Sequence, residues 1–309
     1  MKMFKSITHF YNKLSSIGKT LVMITILLFL IIFFKKMQPS KEGFSDKSNK
    51  IVFKEGNDIY DDFYADIYDH LVFSGVKNNY EISVILKNTN PTETSVIADI
   101  GCGTGHHVKE LFDKNITATG IDVSPAMIKI AKETYPSLDF RVGDGLNSEL
   151  FKFSSLTHIL SLYFAVYYFK DKRQFFDNCM DWLMPGGYLI IHLVDRETFD
   201  PILPPGNPLY VVSPQKYAKK RITHTKVTFT DFVYKSNFKL DTNNNLATFD
   251  EHFKFNDGKV RKQQQKLYME DTAVITNIAE DCGFILHSKI NLVKCAYENQ
   301  YLYIFTKPS

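Results

Sequence analysis

The chain has 309 residues, of which 44% are hydrophobic and 14% aromatic, a composition that excludes a disordered chain and predicts one main globular domain. Its net charge is +3, yet the first 54 residues hold ten lysines and two acidic residues, so the rest of the chain carries −5. A mildly acidic body argues against a nucleic-acid groove, because affinity for phosphate backbones comes mainly from clustered Lys and Arg. Small molecules or proteins are therefore favoured as partners.

The first element along the chain is an apolar segment, residues 21–34, in which 13 of 14 residues are apolar and none is charged. It predicts a membrane anchor over residues 20–34, although such a helix spans only about 22 Å of a ~30 Å hydrocarbon core and needs snorkelling lysines at its ends. A cleaved signal peptide and an interfacial or core helix are the alternatives. The flanking lysines favour a single-pass membrane protein with a cytosolic C-terminal body. The four widely spaced cysteines, read as free thiols, fit that reducing compartment.

Three regions follow from the composition along the chain: residues 1–36 as a tail and anchor, 37–57 as a polar linker, and 58–309 as the globular domain. Within the domain, strand-length apolar runs alternate with helical patterns, which predicts βαβ units around a parallel sheet. The predicted strands are 95–100, 118–122, 139–142, 157–163 and 188–194. The predicted helices are 105–114, 125–135 and 172–184.

The pattern changes between residues 196 and 269 to alternating residues such as THTKVTFTDFVYKSNFKL, with turn signals at DTNNN and NDGK. This alternation predicts an antiparallel insertion of about three strands. A helix over 271–281 and two strands, 284–293 and 301–306, are predicted to complete the chain.

The segment VIADIGCGTGHHV, residues 96–108, places a strand directly before Gly101, Gly103 and Gly105 and a helix directly after them. Glycines allow a tight turn and close approach of a ligand, while the start of the helix presents free N–H groups. Asp122 ends the next strand, where an acidic side chain accepts hydrogen bonds from ribose hydroxyls. Together with Asp144, these residues lie at the carboxyl ends of predicted strands, where open parallel sheets bind ligands.

The spacing DxGxGxG, which begins at Asp99, resembles the first motif of the class I S-adenosylmethionine-dependent methyltransferases of the small-molecule type and differs from the GxGxxG of nicotinamide dehydrogenases. The resemblance covers about residues 60–195 and 271–306. It implies an α/β, Rossmann-like, doubly wound and mostly parallel sheet, to which the antiparallel insertion and an N-terminal transmembrane helix are added. It also implies S-adenosylmethionine as the cofactor.

The resemblance further implies roles for the residues around the motif. Asp99 and the glycine loop would hold the amino acid part of the cofactor, Asp122 the ribose, and Asp144 with Gly145 the adenine edge. A stripe of tyrosines at 60, 64 and 68 is either a lid over the cofactor or a core-packing stripe. The predicted cofactor-binding residues are Asp99, Gly101, Cys102, Gly103, Gly105, Asp122, Val123, Asp144, Gly145 and Tyr68.

Methyl transfer from a sulfonium mainly needs alignment of the acceptor and exclusion of water, so few catalytic side chains are required. Tyr163, Tyr167 and His192 are the candidates for assisting loss of a proton from the acceptor. His106 and His107 open the first predicted helix as capping residues or as a cofactor contact. No carboxylate or cysteine stands at ligand spacing from them, and no metal site is predicted.

The acceptor is predicted to be a small or lipid-like molecule that is methylated on N or O. The segment LSLYFAVYYF, residues 160–169, lacks the [DN]PP[YF] signature of nucleic-acid methyltransferases, and the NPLY of residues 207–210 lies too late in the chain to replace it. The alternatives are a protein methyltransferase, an enzyme of another nucleotide, and a non-catalytic, membrane-tethered nucleotide-binding module. The sequence carries no indication of the oligomeric state.

Overall fold

A computed structural model describes residues 14–37, 51–204 and 214–309, and the chain divides into two units, Met1–Ser48 and Asn49–Ser309. In the first unit, the apolar segment forms helix α1, Ser16–Met37. No helix in the described part of the chain is both long and apolar enough to cross a membrane, so the predicted transmembrane helix is not supported. The uncharged run within α1, residues 20–34, covers only about 22 Å of a ~30 Å hydrocarbon core.

The predicted linker needs a correction at its end. Residues Ile51–Glu55 form strand β1, which pairs in parallel with Val260–Tyr268 (β10). Most of these side chains are exposed, so main-chain hydrogen bonds to a distant strand hold the segment, and polar composition alone does not reveal such pairing. The predicted tail 1–13, the linker residues 38–50 and the NPLY of 207–210 lie outside the described residues.

The second unit is built on a seven-stranded sheet with the order β11-β12-β6-β5-β2-β3-β4. The five strands from β6 to β4 are parallel, and β12 pairs antiparallel with both β6 and β11. This arrangement confirms the predicted mostly parallel sheet. The strands are β2 Ile97–Ile100, β3 Ala118–Asp122, β4 Asp139–Val142, β5 Leu156–Ser161, β6 Leu183–Val194, β11 Ile285–Leu292 and β12 Tyr297–Thr306.

Helices join these strands, and polar caps fix where several of them begin. Asp61, Ser74 and Ser124 each accept a hydrogen bond from a backbone N–H in the first turn of their helix, which satisfies one of the free donors there. The helices are α2 Asp62–Val72, α3 Gly75–Thr89, α4 His106–Phe112, α5 Pro125–Thr134, α6 Lys172–Trp182 and α7 Thr272–Asp281.

The insertion forms a second sheet, which we call the cap sheet, with the order β1-β10-β9-β8-β7. Four strands lie within the insertion instead of the predicted three, because residues 224–228 pair with the next strand as a short edge strand. The predicted turns at DTNNN and NDGK are confirmed between β8 and β9 and between β9 and β10. The insertion strands are β7 His224–Thr228, β8 Phe232–Asp241, β9 Leu246–Phe255 and β10 Val260–Tyr268.

The cap sheet is packed into the core of the unit. Phe238, Ala247 and Leu267 belong to the same buried cluster as Leu193 and Phe305 of the main sheet. A third cluster joins helix α2 to the cap strands β8 and β9. Because apolar burial on this scale stabilises both parts together, we expect the cap to fold with the main sheet as one unit.

Candidate active site

The glycine loop between β2 and α4 has three residues with positive φ: Gly101 at 81°, Gly103 at 54° and Gly105 at 89°. A Cβ atom at Gly101 would lie 2.7 Å from the Cβ of Ala165, which belongs to the loop after β5. A Cβ at Gly105 would lie 2.5 Å from the ring of Phe140. Gly101 therefore allows the two loops to meet, whereas Gly105 leaves room for the Phe140 ring of β4 and lies away from the cavity.

Asp122 ends β3 and closes the glycine loop from the side. Its Oδ2 accepts a hydrogen bond from the backbone N–H of Gly103 at 2.9 Å, and its Oδ1 accepts one from Ser124 N–H at 2.9 Å. Burial raises the pKa of this carboxyl, while both N–H donors oppose the shift. Each oxygen has a second lone pair, so the carboxylate is held ready to accept further hydrogen bonds from a ligand.

Asp99 lies in β2, two residues before the glycine loop, and is only 1% exposed. Neither carboxylate oxygen has a hydrogen-bond partner within the described residues. Burial raises the pKa of Asp99 to about 6; the charge of His107 lowers it, and the charges of Asp122 and Glu81 add to the rise. An unpartnered buried carboxylate is costly, so a cation bound beside Asp99 would stabilise the site.

A cavity of about 310 Å³ opens at the carboxyl ends of the parallel strands and extends to the cap sheet. Most of the residues predicted to bind the cofactor lie on its wall, while Asp99, Cys102 and Gly105 do not. Cys102 is buried in the core beneath the loop. The predicted residues that line the cavity are Tyr68, Gly101, Gly103, Asp122, Val123, Asp144, Gly145 and Tyr163.

The geometry corrects two of the three predicted catalytic residues. Tyr167 is fully buried, and its hydroxyl accepts a hydrogen bond from the backbone N–H of Val194 at 2.9 Å. His192 is also fully buried, with Nδ1 against the carbonyl oxygen of Tyr163 and Nε2 3.0 Å from Oε1 of Gln300. Burial lowers the pKa of His192 to about 4, and neither residue lines the cavity. A catalytic acid or base must reach its substrate, so these two residues have structural roles.

Tyr163 does line the cavity, in a left-handed backbone conformation with φ 56°. A non-glycine residue in this region is strained, and such strain is typical of functional loops. The buried amine of Lys77 lies 4.7 Å from the centre of its ring. Burial raises the pKa of Tyr163 well above its usual value, so the hydroxyl stays protonated. Its assistance in proton loss stays a prediction.

His106 and His107 anchor the glycine loop to neighbouring helices. Nε2 of His106 lies 2.8 Å from Asp69 of α2, whose other oxygen accepts a hydrogen bond from Thr104 at 2.6 Å. His107 contacts Glu81 of α3 at 3.1 Å. Both histidines therefore act in packing and orientation. Among the residues for which coordinates are described, no group of three or more His, Cys, Asp or Glu is arranged to hold a metal ion.

A known family model matches the part of the chain that carries the glycine loop. Residues 98–191, from β2 to β6, match the family model described as a methyltransferase domain. This part of the chain is a methyltransferase domain of the class I S-adenosylmethionine-dependent family. S-Adenosylmethionine is accordingly its cofactor.

Two curated relatives each match less than half of this chain. The dTDP-4-amino-2,3,4,6-tetradeoxy-D-glucose N,N-dimethyltransferase of Saccharopolyspora spinosa is 29% identical over 146 residues, which are 45% of this chain and 57% of that protein. The demethylmenaquinone methyltransferase of Chlorobaculum parvum is 29% identical over 138 residues, or 42% and 56%. The chain thus spans little more than half the length of these relatives.

A solved structure described as an S-adenosylmethionine-dependent methyltransferase from Clostridium acetobutylicum has a TM-score of 0.60 at 15% identity. It covers 80% of this chain and 98% of the other. At that identity the similarity concerns the fold, and its extent goes well beyond residues 98–191.

The residues of the methyltransferase fit the cofactor in two respects. Asp122 presents a preorganised carboxylate at the end of β3, where the ribose hydroxyls are expected. Asp99 does not line the cavity, but its unpartnered charge lies two residues before the glycine loop, where the cofactor's amino group is expected. Asp144 and Gly145 line the same cavity beyond Asp122 and stand where the adenine edge is expected. When bound, the cofactor supplies a methyl group activated by a positively charged sulfur.

The opposite wall of the cavity comes from α2, the loop after β5 and the cap sheet. Tyr60, Tyr64 and Tyr68 all line it, so the tyrosine stripe faces the cavity. Tyr60 donates a hydrogen bond to the hydroxyl of Tyr168 at 2.8 Å, and Tyr168 in turn donates to Oε1 of Gln265 in β10. Gln265 has no recognisable sequence signal, because one glutamine in an alternating strand does not reveal what the strand faces.

Proposed function

We propose that this methyltransferase transfers the methyl group of S-adenosylmethionine to a nitrogen or oxygen atom of a small molecule enclosed beneath the cap sheet. One observation carries the proposal: the cavity is continuous from Asp122 at the glycine loop to Gln265 in the cap sheet. A pocket of this kind, mostly apolar with a few convergent polar groups, suits a small molecule. The relatives named for a dTDP-linked amino sugar and for demethylmenaquinone support a small-molecule acceptor in general.

The roles of the chain's own residues in this reaction are mainly positioning. Asp122 and the glycine loop would hold the donor, while Tyr60, Tyr168 and Gln265 would orient the acceptor by hydrogen bonds. In-line attack forms a bond from the acceptor atom to the methyl carbon as the carbon–sulfur bond breaks and its electron pair stays on sulfur. The acceptor loses one proton to water. Alignment of this kind lowers the barrier without a dedicated catalytic base.

The experiment uses the full chain, since β1 at residues 51–55 is part of the cap sheet. Calorimetric titration with S-adenosylmethionine and S-adenosylhomocysteine measures cofactor binding. Methyl-labelled cofactor is then offered with small amines, phenols and quinols, and the products are identified by mass. We expect cofactor binding and transfer to at least one small acceptor. Transfer only to proteins, or binding of a nicotinamide cofactor instead, would overturn the proposal.

We further propose that the methyltransferase unit works in the cytosol. All four cysteines, at positions 102, 179, 282 and 295, are free thiols. Free thiols are typical of reducing compartments, and the cytosol contains the cofactor. Alkylation of the protein in intact cells, followed by mass spectrometry without reduction, should find the thiols modified singly. Disulfide-linked peptides from native material would contradict this placement.

A further inference from the structure

Glu251 is a buried carboxylate in β9, the middle strand of the cap sheet, with an exposed fraction of 0%. Its oxygens accept hydrogen bonds from the hydroxyls of Tyr64 and Tyr234 and from the side-chain amides of Gln263 and Gln265, at 2.7 to 3.1 Å. Every partner is a donor, which favours the ionised carboxylate. Every partner is also uncharged, so the ionised form has no counter-charge among its hydrogen-bond partners. Burial raises the pKa of Glu251, while the four donors oppose that shift.

No cationic side chain in the described part of the chain forms an ion pair with Glu251. Arg261, two residues before Gln263, pairs instead with Asp61 at 2.8 Å and hydrogen-bonds to Gln263. A buried charge without a counter-charge is expensive, and buried charges in proteins are normally paired. A cation bound nearby would therefore complete an ion pair with this carboxylate and stabilise its ionised form.

Gln265 connects this charge to the cavity. Its Nε2 donates to Glu251 at 2.7 Å and to the hydroxyl of Tyr64 at 3.1 Å, so the amide has one orientation. Oε1 consequently points the other way and accepts from Tyr168, with the hydroxyl of Tyr60 at 3.5 Å. Gln265, Tyr60, Tyr64 and Tyr168 all line the cavity. The wall next to Glu251 is thus made of aromatic rings and hydrogen-bond-accepting oxygens, which attract a cation.

The rest of the cavity wall has the same electrostatic character. Its charged residues in the described part of the chain are Asp122, Asp144 and Asp200, and none of the described lining residues is Lys or Arg. The sequence of residues 205–213, PGNPLYVVS, contains no Lys or Arg either. A diphosphate is normally bound by Arg, Lys or a metal ion. This pocket therefore disfavours a nucleotide-linked acceptor.

We propose that the acceptor is a cationic amine without phosphate groups, whose ammonium binds at Tyr60, Tyr168 and Gln265 with Glu251 as its counter-charge. The inference rests on the proposed function and specifies its substrate class. Before transfer, the ammonium gives one proton to water. The nitrogen lone pair then bonds to the methyl carbon, the carbon–sulfur electron pair stays on sulfur, and the product is a methylated ammonium beside a neutral thioether. Glu251 is a positioning residue, because it acts through Gln265.

The test uses two probes of equal shape. Choline carries a trimethylammonium group where 3,3-dimethyl-1-butanol carries an uncharged tert-butyl group. Each is titrated by calorimetry into the full chain loaded with S-adenosylhomocysteine. We expect choline to bind at least roughly tenfold more tightly, as is typical of a desolvated cation over aromatic rings with a nearby charge. Equal affinities for the two probes would overturn the proposal.

Two variants locate the source of the preference. Glu251→Gln removes the charge at nearly constant shape. It should reduce the preference for choline to about threefold or less, because the proposed counter-charge is lost. Asp250→Asn is the matched control, since it removes a charge one residue away that contacts Lys239 and Gln264, and it should leave the preference unchanged. If near-ultraviolet circular dichroism shows that Glu251→Gln is not folded, Tyr168→Phe is used in its place, with a reduced preference for choline as the expected result.

Other outcomes separate this inference from the proposed function. If Glu251→Gln weakens S-adenosylmethionine but not S-adenosylhomocysteine, the counter-charge is the cofactor's sulfonium, and the inference is wrong while the function stands. A dTDP-linked amino sugar that is methylated faster than every unphosphorylated amine would also overturn it. Failure to bind the cofactor at all would instead refute the proposed function.

Discussion

The two walls of the cavity are built on different principles. The cofactor wall consists of backbone turns and carboxylates at strand ends, all within residues 100–145, with Asp122 bound to its own loop by two N–H donors. The cap wall consists of side chains from α2, the loop after β5 and β10, which are brought together over about 200 residues of sequence separation, as between Tyr64 and Gln265. Residues close in sequence therefore form the first wall, whereas the second wall exists only through long-range packing.

The largest expected effect tests the backbone character of the cofactor wall. In Gly101→Ala, the new Cβ lies 2.7 Å from Ala165, and the residue keeps a left-handed φ of +81°. The overpacking and the backbone strain should each cost ~1–3 kcal/mol. Cofactor binding should fall below detection in a calorimetric titration. Gly56→Ala is the control, with a φ of +58° and open space around the new atom, and should bind cofactor normally. Equal losses in both variants would show that strain alone is responsible.

The second prediction concerns the carboxylate of the same wall. Asp122→Ala removes the acceptor for two loop N–H groups and for the ribose, and charge-assisted bonds of this kind contribute about 1.5–3 kcal/mol. The dissociation constant for S-adenosylmethionine should rise roughly 10- to 150-fold. Asp139→Ala, a carboxylate at the far end of β4 paired with Arg141, is the control. An unchanged constant in Asp122→Ala would remove this residue from the cofactor site.

The third prediction uses the pKa of Asp99, which burial raises to about 6. Below pH 6 the carboxyl of Asp99 is mostly protonated in the free protein. A cation that binds beside Asp99 must therefore displace this proton. Cofactor affinity should therefore be constant above pH 7 and weaken by up to about tenfold per unit below pH 6. Titrations from pH 5 to 8 measure this slope. Asp99→Asn should abolish it, and a slope that persists in the variant would assign it to another group.

The smallest effects distinguish two adjacent tyrosines on the cap side. Tyr168→Phe removes hydrogen bonds to Tyr60 and Gln265 and should raise the acceptor KM about 3- to 10-fold, as expected for ~0.5–1.5 kcal/mol, without changing cofactor affinity. Tyr167→Phe leaves the Val194 N–H without its acceptor and should lower the free energy of unfolding by about 1–3 kcal/mol, with unchanged kinetics. Steady-state kinetics measures the change in KM, and urea unfolding measures the change in the free energy of unfolding. A changed KM in Tyr167→Phe with a destabilised Tyr168→Phe would contradict the placement of these residues relative to the cavity.

Local sequence determined the parallel strands of the main sheet and the glycine loop between them. The predicted bounds of Ala118–Asp122 and Asp139–Val142 agree with the structure, because turn residues stand on both sides of each strand. The first strand is largely buried, whereas only Phe140 is buried in the second, which lies at the edge of the sheet. The glycine loop and Asp122 could be placed as well, since strand ends, positive-φ glycines and a helix start are properties of a few consecutive residues.

Tertiary structure alone decided the remainder. Strand β1 is held by β10, more than 200 residues away, and no local pattern in a short exposed segment announces such a partner. Tyr163 and Tyr167 are four residues apart in one aromatic segment, yet only Tyr163 reaches the cavity, because the loop after β5 turns through a left-handed residue. Glu251 looks in sequence like an ordinary polar position of an alternating strand. Its burial against Tyr64, Gln263 and Gln265 follows from which face of the cap sheet packs on α2, and packing between distant elements is set by the whole fold.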